Sequence, residues 1–151
     1  MSNPERWYKF NPLPSNIKQS LSQLNILFQN HQVQLAYLFG SLSREDKGQD
    51  VDLALLAANT PVYRLRSEII NYLGTERLDL VDLKRASPVL RFEIIRSGQL
   101  IYAISDMVEN NFELATLHLY RDTSYMRSRQ KEYLKERMKT WSLKLKPSPN
   151  V

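Results

Sequence analysis

The stretch Leu35–Leu56 reads LAYLFGSLSREDKGQDVDLALL, and the fold turns on how it is parsed. An apolar run, Leu35 to Phe39, stops at Gly40-Ser41. A polar, charged loop follows, and a second strand-like run opens with Asp50-Val51-Asp52. Successive side chains of a strand point to opposite faces, so Asp50 and Asp52 share one face while Val51 turns to the other. Two carboxylates about 7 Å apart along a strand suit a hard divalent cation such as Mg²⁺, which takes oxygen ligands together with substrate phosphates. Gly40 lets the backbone approach a ligand closely, and Ser41 adds a hydroxyl and an amide beside it. Asp-x-Asp can also be a solvated turn, and Gly-Ser a plain loop. Placement weighs against that reading. Leu53, Ala54, Leu55 and Leu56 follow at once, so the acids begin a buried strand, where a charge must be paired, hydrogen-bonded or metal-bound.

The 151 residues fit a single domain with a core that needs no covalent staples. Cysteine is absent, which excludes disulfides and thiolate metal sites. The N-terminal MSNPERWYKF lacks a signal-type apolar segment, and no run approaches the length of a membrane span, so the expectation is a soluble, cytoplasmic protein. The net charge of +5 is uneven: from residue 121 onward nine Lys/Arg stand against three acids, leaving residues 1–120 close to neutral. Such a basic segment points to an anionic partner (an acidic protein, RNA or a nucleotide), or else is a solvated helix face. No Gly-x4-Gly-Lys-Ser/Thr and no Gly-x-Gly-x-x-Gly occurs, which argues against P-loop, kinase and dinucleotide-binding chemistry.

Taken in order, residues 1–14 hold Pro4, Pro12 and Pro14 and read as an irregular arm. Ser15 can cap a helix whose apolar positions Ile17, Leu21, Leu24 and Phe28 step by helical spacing. His31 falls in a polar turn and reads as solvated. A strand over 34–39 leads into Gly40-Ser41 and a short helix over 42–45, whose first amides would face phosphates. Arg44 and, more remotely, Lys47 lie within reach of a triphosphate there. A second strand spans 51–57. Thr60-Pro61 predicts an N-cap and first helical position, with the helix running to Leu73 and stopping at Gly74. Residues 77–83 form a third strand in which Asp79 and Asp82 face opposite ways, so only one can join Asp50 and Asp52. Ser87-Pro88 starts another helix, ending near Gly98, and residues 99–102 make a last strand. From Asp106 the composition is helical, with Val108, Phe112, Ala115 and Leu119 as a docking stripe and His118 beside it. Beyond Arg121 bulky groups (Tyr125, Met126, Tyr133, Leu134, Met138, Trp141) alternate with basic ones, as on a contact surface for protein or nucleic acid.

Gly40-Ser41, eight residues, then Asp50-Val51-Asp52 resembles the signature of the nucleotidyltransferase superfamily of DNA polymerase β. The block Leu78–Tyr102 resembles the end of the small domain in the minimal nucleotidyltransferases, the MNT group. The resemblance covers most of residues 15–104. It implies an α/β (α+β) fold: a small mixed sheet flanked by helices, with a long C-terminal helix. The expected organisation is an arm over 1–14, a nucleotidyltransferase domain over 15–104, a partner-binding C-terminal helix over 105–146 and a disordered tail over 147–151. The resemblance also puts the third carboxylate in an apolar-Asp-apolar setting, which Leu78-Asp79-Leu80 matches, with Asp82 as its rival.

What the resemblance implies for chemistry is in-line nucleotidyl transfer. Asp50, Asp52 and Asp79 would bind two Mg²⁺ ions, with Gly40, Ser41 and Arg44 on the phosphates of ATP. MNT members act as antitoxins of HEPN ribonuclease toxins, adding one or a few AMP units to a toxin tyrosine. The chain lacks the Arg-x4-6-His motif of the toxin itself. Two other readings stand beside this one: an antitoxin that blocks its toxin by binding alone, and a transferase acting on RNA 3′ ends or a small molecule.

Overall fold

A computed structural model describes residues 10–44 and 48–145. The first nine residues of the arm, Lys47, and the tail from 146 lie outside the described residues. Helices α1 (Ile17–Ser22) and α2 (Asn25–Asn30) precede strand β1 (Val33–Phe39), the one-turn helix α3 (Ser41–Arg44) and strand β2 (Val51–Ala57). A 3-10 turn (Val62–Leu65) runs into α4 (Arg66–Leu73). Then come β3 (Leu78–Asp82), α5 (Pro88–Ser97), β4 (Gln99–Ala103), α6 (Asp106–Asp122) and α7 (Ser124–Leu145).

The strands form one mixed sheet in the order β3-β2-β1-β4, with β1 antiparallel to both β2 and β4 and β2 parallel to β3. Strand β2 is central and buried on both faces, which is why its sequence is a nearly continuous apolar run. Val51, Leu53, Leu55 and Ala57 join Val33, Ala36 and Leu38 beneath α1, α2 and α4. Ala54 joins Leu35 and Tyr37 on the opposite face, where Ile94 of α5 and Val108 and Phe112 of α6 close the second layer. The Tyr37 hydroxyl, buried there, donates to Glu113 Oε1 at 2.9 Å, tying α6 to the sheet.

Several element ends differ from the sequence-based expectation, each for a local reason. The stripe Ile17, Leu21, Leu24, Phe28 does point inward, but two short helices carry it. Gln23 and Leu24 donate to carbonyls three residues back, tightening the chain between α1 and α2. The N-cap of α1 is Asn16, without a side-chain cap bond, in place of Ser15. Pro61 has ψ 131°, so it stands outside the helix and opens a 3-10 turn instead of the first α-helical position. Gly74 stops α4 with φ 70°, the left-handed cap that glycine adopts freely. Ser87 Oγ accepts from Leu90 N–H at 3.2 Å ahead of Pro88, as that dipeptide predicts.

The C-terminal region contains a long helix, α7, preceded by a separate helix α6 with a break at Thr123. The Thr123 hydroxyl donates to Leu119 O at 2.9 Å, competing with the backbone ladder. The docking ridge of α6 follows steps of four, through Val108, Phe112 and buried Thr116, so Ala115 and Leu119 turn outward. Tyr120 continues the ridge: its ring stacks on Phe92 of α5 at 3.9 Å and carries the Arg127 guanidinium 3.7 Å from its centroid. That stack attaches the start of α7; the rest of the helix is exposed. Among the described residues no helix is long and apolar enough to cross a membrane.

Candidate functional site

Strand β1 delivers the chain to Gly40 beside the start of β2. In the ladder Phe39 lies opposite Asp52, and on the other side Asp52 lies alongside Asp79 in the parallel register of β2 and β3. Gly40 has φ 73°, and a Cβ placed on it would collide with the Asp52 carboxylate. Glycine is therefore required both for the turn and for the approach. Leu42, fully buried, pins α3, and Ser43 Oγ donates to Gly40 O at 2.8 Å, closing the corner. A Cβ on Gly48 would lie 2.9 Å from Ser41 Oγ, so the far end of the loop packs against that hydroxyl.

The opening of β2 is held from β3. Val51 N–H donates to Arg77 O at 2.8 Å, and the Arg77 guanidinium donates to Gln49 O at 3.0 Å and to Phe10 O at 2.9 Å. One arginine thus fixes the residue before Asp50 and the incoming N-terminal segment. Asp50 is completely buried and Asp52 is 8% exposed. Carboxylate oxygens of Asp50, Asp52 and Asp79 lie within 4.8 Å of one another. Burial, the charges of Asp50 and Asp79, and a hydrogen bond with Asp79 push the Asp52 carboxyl up to about 7. Three crowded acids in a partly dry corner form a site that favours either a proton or a cation.

Gly40, Ser41, Arg44, Asp52 and Asp79 line one cleft of about 620 Å³, with Arg44 exposed at its edge. Asp82 is not in this group: it faces the other side of the sheet, and its Oδ1 accepts Lys84 N–H at 3.0 Å. Lys47 lies outside the described residues. The opposite wall comes from α5, through Glu93, Arg96 and Ser97, none of which the sequence singled out. Arg96 is paired with Glu93 at 2.8 Å across one helical turn. Their i, i+3, i+4 spacing marks one face of α5, but only docking on the sheet reveals that the face looks at the acids. His31, expected to be merely solvated, is instead paired with Glu68 at 2.6 Å, and His118 is exposed.

Residues 22–107 match the family described as polymerase beta, nucleotidyltransferase, which is more than half of the chain. The chain belongs to that family. Among characterised relatives it is 33% identical over 94 residues to the protein adenylyltransferase MntA of Shewanella oneidensis, spanning 59% of this chain and 67% of that protein. Solved structures with the same fold include the complex of a tri-AMPylated Shewanella oneidensis HEPN toxin with its MNT antitoxin. That match has a TM-score of 0.62 and 25% identity, over 81% of this chain and 98% of the other. A toxin–antitoxin structure with AMP-PNP matches with a TM-score of 0.59 and 27% identity, over 83% of this chain and 99% of the other. In this nucleotidyltransferase, then, the acid cluster sits beside a glycine-serine corner on the sheet that the family shares.

Proposed function

We propose that this chain is the antitoxin of a HEPN/MNT pair, a cytoplasmic enzyme that moves AMP from ATP to a tyrosine hydroxyl of its HEPN toxin. The observation that carries this is the clustering of Asp50, Asp52 and Asp79, the last two lining a cleft shared with Gly40 and Ser41 and Asp50 buried behind them, in a chain similar to an adenylyltransferase. The donor set fits magnesium, since three clustered carboxylates offer only the hard oxygen ligands that ion prefers. Asp50 and Asp52 would hold two ions, and Asp79 one of them. When bound, such ions supply positive charge at the attacking and leaving oxygens of the α-phosphate.

The chain's own residues do the rest by positioning. Gly40 and Ser41 hold the β- and γ-phosphates, and Arg44 meets them from the edge of the cleft. The acceptor oxygen bonds to the α-phosphorus, the bond to the β-phosphate oxygen breaks, and pyrophosphate leaves. Asp79 takes the acceptor's proton. Orientation and charge neutralisation carry this chemistry, so it needs no His or Cys nucleophile. The exposed Tyr133, Leu134, Met138 and Trp141 of α7, set among cations, give the toxin a surface to dock on.

The test mixes purified chain, the toxin encoded beside it, RNA, labelled ATP and magnesium. Label on the toxin in AMP units supports the proposal. Label on RNA and none on toxin overturns it in favour of RNA-end transfer.

A further inference from the structure

A second cleft, of about 560 Å³, lies outside β3, and its wall is shared with the first: Asp79 and Leu80 line both. Apart from Asp79, none of the residues that line it takes part in the transfer reaction proposed above. Its cationic groups are Arg66, Lys84 and Arg85. Lys84 Nζ donates to Ala58 O at 2.8 Å, and Arg66 donates to Leu78 O and Glu76 O, so these two heads are anchored; Lys84 and Arg85 are both exposed. Asp82 also lines the cleft, with its Oδ1 committed to the Lys84 amide. At the edge stands Tyr63, 69% exposed, its ring 6.0 Å from the Arg64 guanidinium. Cations beside an open aromatic ring match a nucleotide: phosphate on the charges, base on the ring.

The first cleft, with Gly40 and Ser41, is the place for a triphosphate donor. An acceptor must reach the same carboxylates from elsewhere, and the wall common to the two clefts carries Asp79. The toxin in a similar complex bears three AMP units. Where such units are joined in series, the hydroxyl of the last one has to be brought to the carboxylates, and a cleft walled by Asp79 is placed to hold that unit.

We propose that this second cleft binds the adenylate already attached to the acceptor, with its phosphodiester on Lys84 and Arg85 and its base against Tyr63. It is a subsite for elongation, not for the first transfer, and it rests on the transfer reaction proposed above. In the elongation step a ribose hydroxyl of the bound adenylate bonds to the α-phosphorus of a new ATP. Pyrophosphate leaves with the electron pair of the broken P–O bond, and the hydroxyl proton passes to Asp79.

Counting AMP units on the toxin by intact mass over time tests this. With Tyr63→Ala or Arg85→Ala the first addition should keep its wild-type rate while later ones slow about tenfold, the loss expected for one stacked base or one phosphate contact. An unchanged ladder, or equal slowing of every addition, overturns the proposal. A second readout needs no transfer. The dinucleotide pApA should bind wild-type chain about tenfold more tightly than Arg85→Ala, with ATP affinity the same for both. Equal dinucleotide affinities overturn the subsite. If no AMP reaches the toxin at all, the transfer reading falls, while the dinucleotide titration still decides this cleft.

Discussion

A methyl group on Gly40 would occupy the space of the Asp52 carboxylate. The glycine of the corner and the second aspartate of the Asp-x-Asp are thus in direct contact, although eleven residues separate them in the chain. Gly40→Ala should cost about 1–2 kcal/mol of stability from the left-handed backbone alone, and more from displacing Asp52. Urea unfolding measures the first effect. Transfer activity should be lost even where the variant remains folded.

The raised Asp52 carboxyl makes stability depend on pH. An unfolded aspartate ionises near 4, whereas Asp52 in the fold ionises at about 7, because burial and its acidic neighbours disfavour the charge. Without divalent ions, stability is therefore complete below about pH 4 and falls as pH rises toward 7, by up to one proton's worth of slope. Asp52→Asn should remove this dependence and raise the unfolding midpoint at neutral pH. Denaturation in EDTA, at about pH 5 and about pH 8, checks it: a wild-type midpoint that rises across that window contradicts the assignment. The magnesium of the proposed mechanism would bind the ionised form, so adding it should offset the loss.

Asp79 and Asp82 separate cleanly by position. Asp79 lies alongside Asp52 in the ladder, while Asp82 is three residues on and faces away. Asp79→Asn should lower the rate of the first AMP addition by about 10²–10⁴-fold, the usual range for a positioned proton acceptor. Asp82→Asn should leave that first rate near wild type. Single-turnover transfer with the toxin reads both.

The stack Phe92–Tyr120–Arg127 is what attaches α7 to the rest of the molecule. Tyr120→Ala removes a ring pair worth about 0.5–1.5 kcal/mol and a cation contact worth about 0.5–1 kcal/mol. Amide exchange over 124–145 should speed up in this variant, with the sheet unaffected.

What the sequence shows by itself depends on range. The carboxylate pair was legible because alternation along one strand is local; three-residue spacing showed that only one of Asp79 and Asp82 could join it, and the choice of Asp79 came from the resemblance. Asp50 at the start of a buried run announced its own cost. Glu93, Arg96 and Ser97 were not legible: the face of α5 that meets the cleft is set by how Ile94 packs under the sheet, which is a tertiary fact. Nor was the break at Thr123, where a hydroxyl bonds back to Leu119 within a sequence of uniformly helical composition. The second cleft is assembled from residues between Ala57 and Arg66, from Asp79, Leu80 and Asp82 of β3 and from Lys84 and Arg85 after it, parts joined only by folding.

In the proposed function the acid cluster is a catalyst and not a structural ornament of a docking protein. The most direct measurement is the intact mass of the toxin isolated from cells that co-express it with wild-type chain or with the Asp50→Asn/Asp52→Asn variant. With the wild type the toxin should be heavier by whole AMP units and neutralised; with the variant it should be unmodified and active. Toxin that the variant neutralises as well as the wild type does, with no added mass in either case, would contradict it.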